Sequence, residues 1–128
     1  MIEIVSDPNP EDAALRALWL SAWGDGGPES FAKILTHGLG HVGAFDGKRL
    51  IGFVNIAWDG GVHAFILDTC VHADYQRQGI ALRLLERAEQ LARQRGALWL
   101  HVDFEARLEG FYRKAGFAPT AAGLKRLA

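Results

Sequence analysis

The stretch Tyr75 to Gly96, YQRQGIALRLLERAEQLARQRG, changes character in its middle. Tyr75 to Gly79 is polar and turn-like. From Ile80 onward apolar residues recur at helical spacing as far as Arg95, and Gly96 closes the segment. The side-chain-poor run Gly79-Ile80-Ala81 therefore falls at the mouth of a helix. The first N–H groups of a helix have no partner inside it and lie at the positive end of its dipole. A glycine there removes the Cβ that would hold a phosphate away. Two readings stand side by side: an ordinary turn, or backbone amides left bare for an anionic ligand.

Upstream, Val62 to Val71 is a long apolar run suited to a central strand, entered through the turn Asp59-Gly60-Gly61. Before it, His41 to Phe45 and Leu50 to Trp58 flank Asp46-Gly47, a hairpin signal. Ile2 to Val5 alternates weakly and predicts a first strand. Asn9-Pro10-Glu11-Asp12 carries helix-start signals, with Asn9 as the cap. Leu15, Leu18, Trp19, Ala22 and Trp23 follow at helical spacing. Gly24 to Pro28 breaks that helix, and Phe31, Ile34 and Leu35 predict a shorter one ending near Gly38. Downstream, Leu98 to Phe104 predicts a strand, and Leu108, Phe111, Tyr112 and Ala115 a helix ending at Gly116. Phe117 to Thr120 and Leu124 to Leu127 read as short extended pieces. The order is β-α-α-β-β-β-α-β-α-β, an α+β sandwich around a mixed sheet.

The chain has 128 residues with no repeat, low-complexity tract or linker, so residues 1–128 read as one domain. A formal net charge of -1 gives no pull toward nucleic acid or acidic membranes. The first residues lack the basic and apolar regions of a signal peptide, and no apolar run approaches the ~18 residues that span a bilayer. The lone Cys70 cannot form an internal disulfide and fits a reducing compartment, so the expectation is a soluble cytoplasmic protein. The 5 histidines are scattered without metal-ligand spacing, and no metal is expected. No Gly-Lys-Ser/Thr follows the apolar strand, which counts against ATP or GTP.

Taken together, the strand, the turn and the later segment Phe111-Tyr112-Arg113-Lys114-Ala115-Gly116-Phe117 resemble the GNAT superfamily of N-acetyltransferases. The resemblance covers nearly the whole element order and is sharpest from Leu67 to Phe117. Gln76-x-x-Gly79-x-Ala81 matches the family's pyrophosphate loop, and Phe111-Tyr112-x-x-x-Gly116-Phe117 its aromatic helix ending. The resemblance implies a three-layer α-β-α fold, with helices on both faces of a mixed, mostly antiparallel sheet. It implies acetyl-CoA as co-substrate, its pyrophosphate on the amides of Gln76, Arg77, Gln78, Gly79, Ile80 and Ala81. It implies that the pantetheine pairs with backbone near Thr69 and Val71, where an amide polarises the thioester carbonyl. The amine then attacks directly, without a covalent acyl-enzyme.

Tyr112 matches the position that often protonates the leaving thiolate; packing beside Phe111 is the competing reading. Asp68 interrupts an apolar strand and is either the base or a structural acid held by backbone amides. Trp99, His101, Asp103 and Glu105 alternate onto one face; His101 reads as a satisfied core histidine, and Cys70 as a small buried hydrophobe. Arg77, Arg83, Arg87, Arg93 and Arg95 read as a solvated face, with Arg77 or Arg83 in reach of a phosphate. Trp19, Trp23 and Trp58 read as core; Trp23 or Phe31 alternatively lines the acceptor site. Gln76 replaces the commoner Arg, Ala81 the commoner Gly, and Glu105 an Asn, which puts the usual side-chain contact to pantetheine in doubt. Only a short hairpin fits after Gly116, leaving the acceptor site open or completed by a second subunit of a homodimer.

The function this implies is acetyl transfer from acetyl-CoA to a primary amine, a small amine metabolite ahead of a protein amino group. Asp59, Asp68, Asp103 and Glu105 favour a small cationic amine if several face the cleft. The alternative is a catalytically weak acyl-CoA-binding sensor or interaction module.

Overall fold

The computed structural model describes Met1 to Ala128. Five strands make one sheet in chain order: β1 (Ile2–Ser6), β2 (Gly40–Asp46), β3 (Arg49–Trp58), β4 (His63–Val71) and β5 (Trp99–Val102). The first four are antiparallel neighbours, and β5 lies parallel to β4. Parallel neighbours need a crossover between them. The helix of the opening stretch, α3 (Ile80–Gln94), provides it. Helices α1 (Asp12–Trp23) and α2 (Phe31–Leu35) cover one face of the sheet, and α3 and α4 (Glu109–Lys114) the other. The three layers are those the resemblance implies.

Each layer is sealed by its own apolar cluster. Ile80, Leu84, Ala88 and Leu91 form the stripe of α3, and they bury Val42, Val54, Ile56, Ala64 and Ile66 of the sheet. On the opposite face Leu15, Leu18, Trp19 and Phe31 close over Leu50, Phe53 and Cys70. Most arginines of α3 are fasteners rather than a solvated face. Arg83 donates to Ile2 O at 3.2 Å and Arg87 to Ile4 O at 3.1 Å, strapping the helix to β1. Arg95 donates to Leu39 O at 2.7 Å and pairs with Asp7 at 2.6 Å.

Several expectations are corrected. Asn9 does not cap α1: its φ is +51°, and its backbone N–H donates to His41 Nε2 at 3.0 Å. Glu11 stands at that cap without a side-chain bond, whereas Ser30 caps α2, accepting from the Lys33 N–H at 3.2 Å. Phe117 to Thr120 and Leu124 to Leu127 form no strand, and Leu124 and Leu127 are 90% and 92% exposed, with nothing packed on them. Trp19 is core, but Trp23 and Trp58 reach the surface.

The feature that positions the site lies in β4. Its pairing with β3 jumps from Asn55↔Leu67 to Phe53↔Cys70, so Asp68 and Thr69 together oppose Val54. This is a β-bulge, and Asp68 adopts the left-handed region at φ +61° to make it. Before the bulge Ala64 and Ile66 face α3. After it Cys70 faces α1 and Val71 faces α3. On the other edge the pairing with β5 ends at Ile66↔Val102. From Leu67 onward β4 is therefore hydrogen-bonded to a strand on one side only.

Candidate active site

Beyond Val71 the chain makes a single 3₁₀ turn (Ala73–Tyr75) and then the predicted loop. Arg77 at φ +63° and Gly79 at φ +78° are both left-handed, the backbone conformation from which anion-binding nests are built. From Gln76 through Leu82 no backbone N–H has an acceptor within the protein; the first to find one is Arg83, which donates to Gly79 O at 3.2 Å. No side chain caps α3, and a Cβ on Gly79 would meet nothing within 4 Å. The result is an open cradle of donors at the positive end of a 15-residue helix, chemically suited to a phosphate or diphosphate. Gln76 ties the cradle to the strand, its Nε2 donating to Val71 O at 3.2 Å. Arg77 is exposed beside the cradle without an ionic partner, while Arg83 is engaged on β1.

Where β4 parts from β5, Thr69 turns toward α4. Its hydroxyl is buried without a hydrogen-bond partner. Tyr112 is its neighbour. Burial pushes the Tyr112 phenol pKa above its ordinary value, with the Thr69 hydroxyl close by but not hydrogen-bonded to it. Tyr112 stacks on Phe104 (4.7 Å between ring centroids, 17° between planes) and meets the edges of Phe111 at 5.0 Å and Phe117 at 5.9 Å. The aromatic motif of α4 thus boxes in the tyrosine ring beside the bulge.

Leu67, two residues earlier, lines a cavity of about 850 Å³ on the α1/α2 side. Glu29, Ser30, Lys33, His37 and Asn55 line it as well. Its wall is held by Arg16, which donates to the carbonyls of Gly26 (2.9 Å), Pro28 (3.1 Å) and Glu29 (3.2 Å). Gly27 closes against α1 so tightly that a Cβ would sit 2.6 Å from the Trp19 ring. His37 Nδ1 lies 2.9 Å from Lys33 O. A carbonyl only accepts, so Nδ1 carries a proton in this contact. The cavity and the Thr69–Tyr112 cleft are on opposite faces of the sheet, the first lined by Leu67 and the second by Thr69, on either side of Asp68 in β4.

Asp68 is the bulge residue between Leu67 and Thr69. The residue is exposed, yet partial desolvation of its carboxylate pushes its pKa above the ordinary value. The other acidic candidates do not converge with it. Asp59 accepts from the Gly61 N–H at 2.8 Å in the β3–β4 turn, Glu105 pairs with Arg107 at 2.7 Å, and Asp103 is exposed. Cys70 is buried, and burial, followed by the charge of Asp68, pushes its thiol up to about 12, which makes it inert. His101 is not a core histidine: it is exposed, 2.8 Å from His63 Nδ1 and stacked on Phe65 at 4.5 Å. Neither Trp23 nor Phe31 lines the cavity. No group of three or more His, Cys, Asp or Glu side chains is arranged to hold a metal ion.

Lys33, His37 and Asn55 were not singled out from the sequence. Only Asn55 left a trace there, as the single polar residue in the apolar run Phe53-Val54-Asn55-Ile56-Ala57.

The Acetyltransferase (GNAT) family model matches residues 3–117, and the chain belongs to that family. It is 31% identical over 77 residues to an uncharacterized N-acetyltransferase of Porphyra purpurea, a match covering 60% of this chain and 44% of that protein. The match to the corresponding protein of Pyropia yezoensis is similar, at 30% over 78 residues, 61% of this chain and 45% of the other. The chain thus matches less than half the length of these curated relatives. Among solved structures, an acetyltransferase of the GNAT family from Streptococcus pneumoniae superposes with a TM-score of 0.84 at 25% identity, covering 100% of this chain and 98% of that one. A probable acetyltransferase from meticillin-resistant Staphylococcus aureus gives 0.83 at 25% identity, with 100% of both chains covered.

Proposed function

We propose that this chain transfers an acetyl group from acetyl-CoA to a primary amine held in the Leu67 cavity. GNAT enzymes use acetyl-CoA as co-substrate, and the observation that carries the reading is the run of unpartnered N–H groups from Gln76 to Leu82. It is a site for the pyrophosphate, built at the end of a strand whose other edge is free to pair with an extended pantetheine.

In this reading the backbone of Thr69 to Val71 aligns the pantetheine, and an amide at the bulge polarises the thioester carbonyl. The amine enters from the cavity side, and Asp68 takes its proton directly or through water. The C–N bond forms as the C–S bond breaks, and the phenol of Tyr112 gives its proton to the departing thiolate. A raised pKa suits that role, because it keeps the phenol protonated across neutral pH. Most of the rate comes from holding the two reactants on either side of one strand. A small-molecule amine is favoured over a protein amino group by the cavity, whose volume of about 850 Å³ matches a compact ligand. No helix is long and apolar enough to cross a membrane.

Calorimetry with acetyl-CoA, followed by thiol release with an amine panel, tests the proposal. Micromolar binding and amine-dependent release support it. Binding of acetyl-CoA with no amine accelerating release overturns the transfer step and favours an acyl-CoA sensor.

A further inference from the structure

Three observations on the Leu67 cavity bear on the kind of amine it takes. Asn55 lies in the middle of β3, is 3% exposed, and its Oδ1 has no hydrogen-bond partner. A buried carbonyl oxygen left unpaired is costly, and a Leu or Val would suit the strand better. Second, Lys33 and Glu29 both line the cavity, and neither side chain forms an ion pair with the other or with any other charge. Third, the wall that carries them is rigid: Arg16 holds three of its carbonyls, Ser30 caps α2, and Asp12 accepts from the Ala32 N–H at 3.1 Å. An exposed unpaired cation, an exposed unpaired anion and a buried amide thus line one space of about 850 Å³ on a wall whose backbone is held.

A purely cationic amine would meet Glu29 and leave Lys33 repelling it. An acceptor that carries its own carboxylate satisfies both charges and gives Asn55 Oδ1 the N–H donor it lacks. We infer that the cavity is built for an amphoteric, amino-acid-like amine, with Lys33 on its carboxylate and Asn55 as the residue that determines specificity. The inference rests on the transfer reading only for the amine's fate; the binding itself is independent of it. It replaces the small cationic amine suggested by the acidic residues of the sequence, which the fold scatters.

Matched pairs of compounds test it: phenylalanine against phenethylamine, and leucine against isoamylamine. Binding is measured by calorimetry on the CoA-loaded protein, and turnover by thiol release. The amino acid of each pair is expected to bind at least about 10-fold more tightly than its decarboxylated partner. Lys33→Glu should remove or reverse that preference, weakening the amino acid and, with a repulsion turned into an attraction, tightening the plain amine. Asn55→Leu should weaken amino-acid binding and raise the Tm, because it deletes an orphaned buried group. Amino-acid binding without thiol release would support the cavity and count against the transfer step. Preference for the plain amine, an equal effect of Lys33→Glu on both members of a pair, or an Asn55→Leu variant that loses stability and binds as before would each overturn the inference.

Discussion

The side-chain amide of Gln76 donates to the carbonyl of Val71 at 3.2 Å, joining the first residue of the donor cradle to the last residue of β4. The position that often carries Arg in this family here fastens the loop to its strand. Gln76→Ala should therefore act through the cradle's shape. One hydrogen bond of this kind contributes roughly 1 kcal/mol to stability, so Tm should fall by about 2–6 °C and acetyl-CoA affinity should fall with it by up to about 5-fold as the loop loosens. Calorimetry showing unchanged affinity would remove Gln76 from the site.

Gly79→Glu places bulk and negative charge at the mouth of α3 and should weaken acetyl-CoA binding by more than about 100-fold. Gly79→Ala separates charge from backbone. Its Cβ meets nothing, so its cost is that of holding φ +78°, about 1–2 kcal/mol in stability. Binding by the Glu variant at wild-type strength would refute the placement of the pyrophosphate.

Tyr112→Phe keeps the ring that stacks on Phe104 and removes only the phenol oxygen. Turnover should fall about 10- to 100-fold while acetyl-CoA affinity holds. Wild-type turnover would leave Tyr112 with packing alone.

Asp68→Asn is compatible with the left-handed bulge, since Asn tolerates positive φ better than most residues. It should lower turnover about 10- to 100-fold and abolish the acid limb of the pH profile. The sign follows from the raised pKa: the base is lost as pH falls through a value above the ordinary 3.8. Because the folded state disfavours the charged carboxylate, the same variant should be slightly more stable at neutral pH. A variant with an unaltered pH profile would make Asp68 a structural acid.

Acid should remove stability in two successive steps around Asp7. Burial lowers the His41 pKa below its ordinary 6.5, more than the Asp7 charge restores it, and the ring accepts a hydrogen bond from Asn9 as a neutral group. The unfolded chain therefore takes up that proton first, and stability falls as pH drops below 6.5. For Asp7 burial works upward, but the Arg95 bond, the His41 N–H and the neighbouring charges together bring the pKa below 3.8. Its contribution is present above 3.8 and lost as pH falls through the lower folded value. Melting curves across this range should show both steps, and His41→Gln should flatten the first.

The elements with a strong period or a decisive turn were legible in the sequence. Asp46-Gly47 gave the β2–β3 hairpin, the stripe of α3 its buried face, and Gly79 the free amides in front of it. What escaped depended on contacts between distant segments. Asn9 has the chemistry of a cap, but His41, 32 residues away, claims its backbone. Asp68 stood out as a polar interruption, yet no periodicity says that β4 gains a residue there. Lys33 and His37 look like any polar helix surface until β3 and β4 pass beneath them. The arginines of α3 read as solvated because their acceptors, the carbonyls of β1, lie more than 80 residues back along the chain.

The extra residue in β4 acts as a phase shift in the strand's alternation. Upstream of Asp68 the even-numbered positions face α3; downstream the odd-numbered ones do. Deleting Asp68 would leave a regular ladder, with Thr69 alone opposite Val54, Cys70 opposite Phe53 and Val71 opposite Gly52 as before. Every later residue would keep its layer, and the loss would fall on the bulge itself, its carboxylate and its local twist. The chain should therefore fold with residue 68 removed, whereas most side chains placed there would have to hold the left-handed φ of +61°.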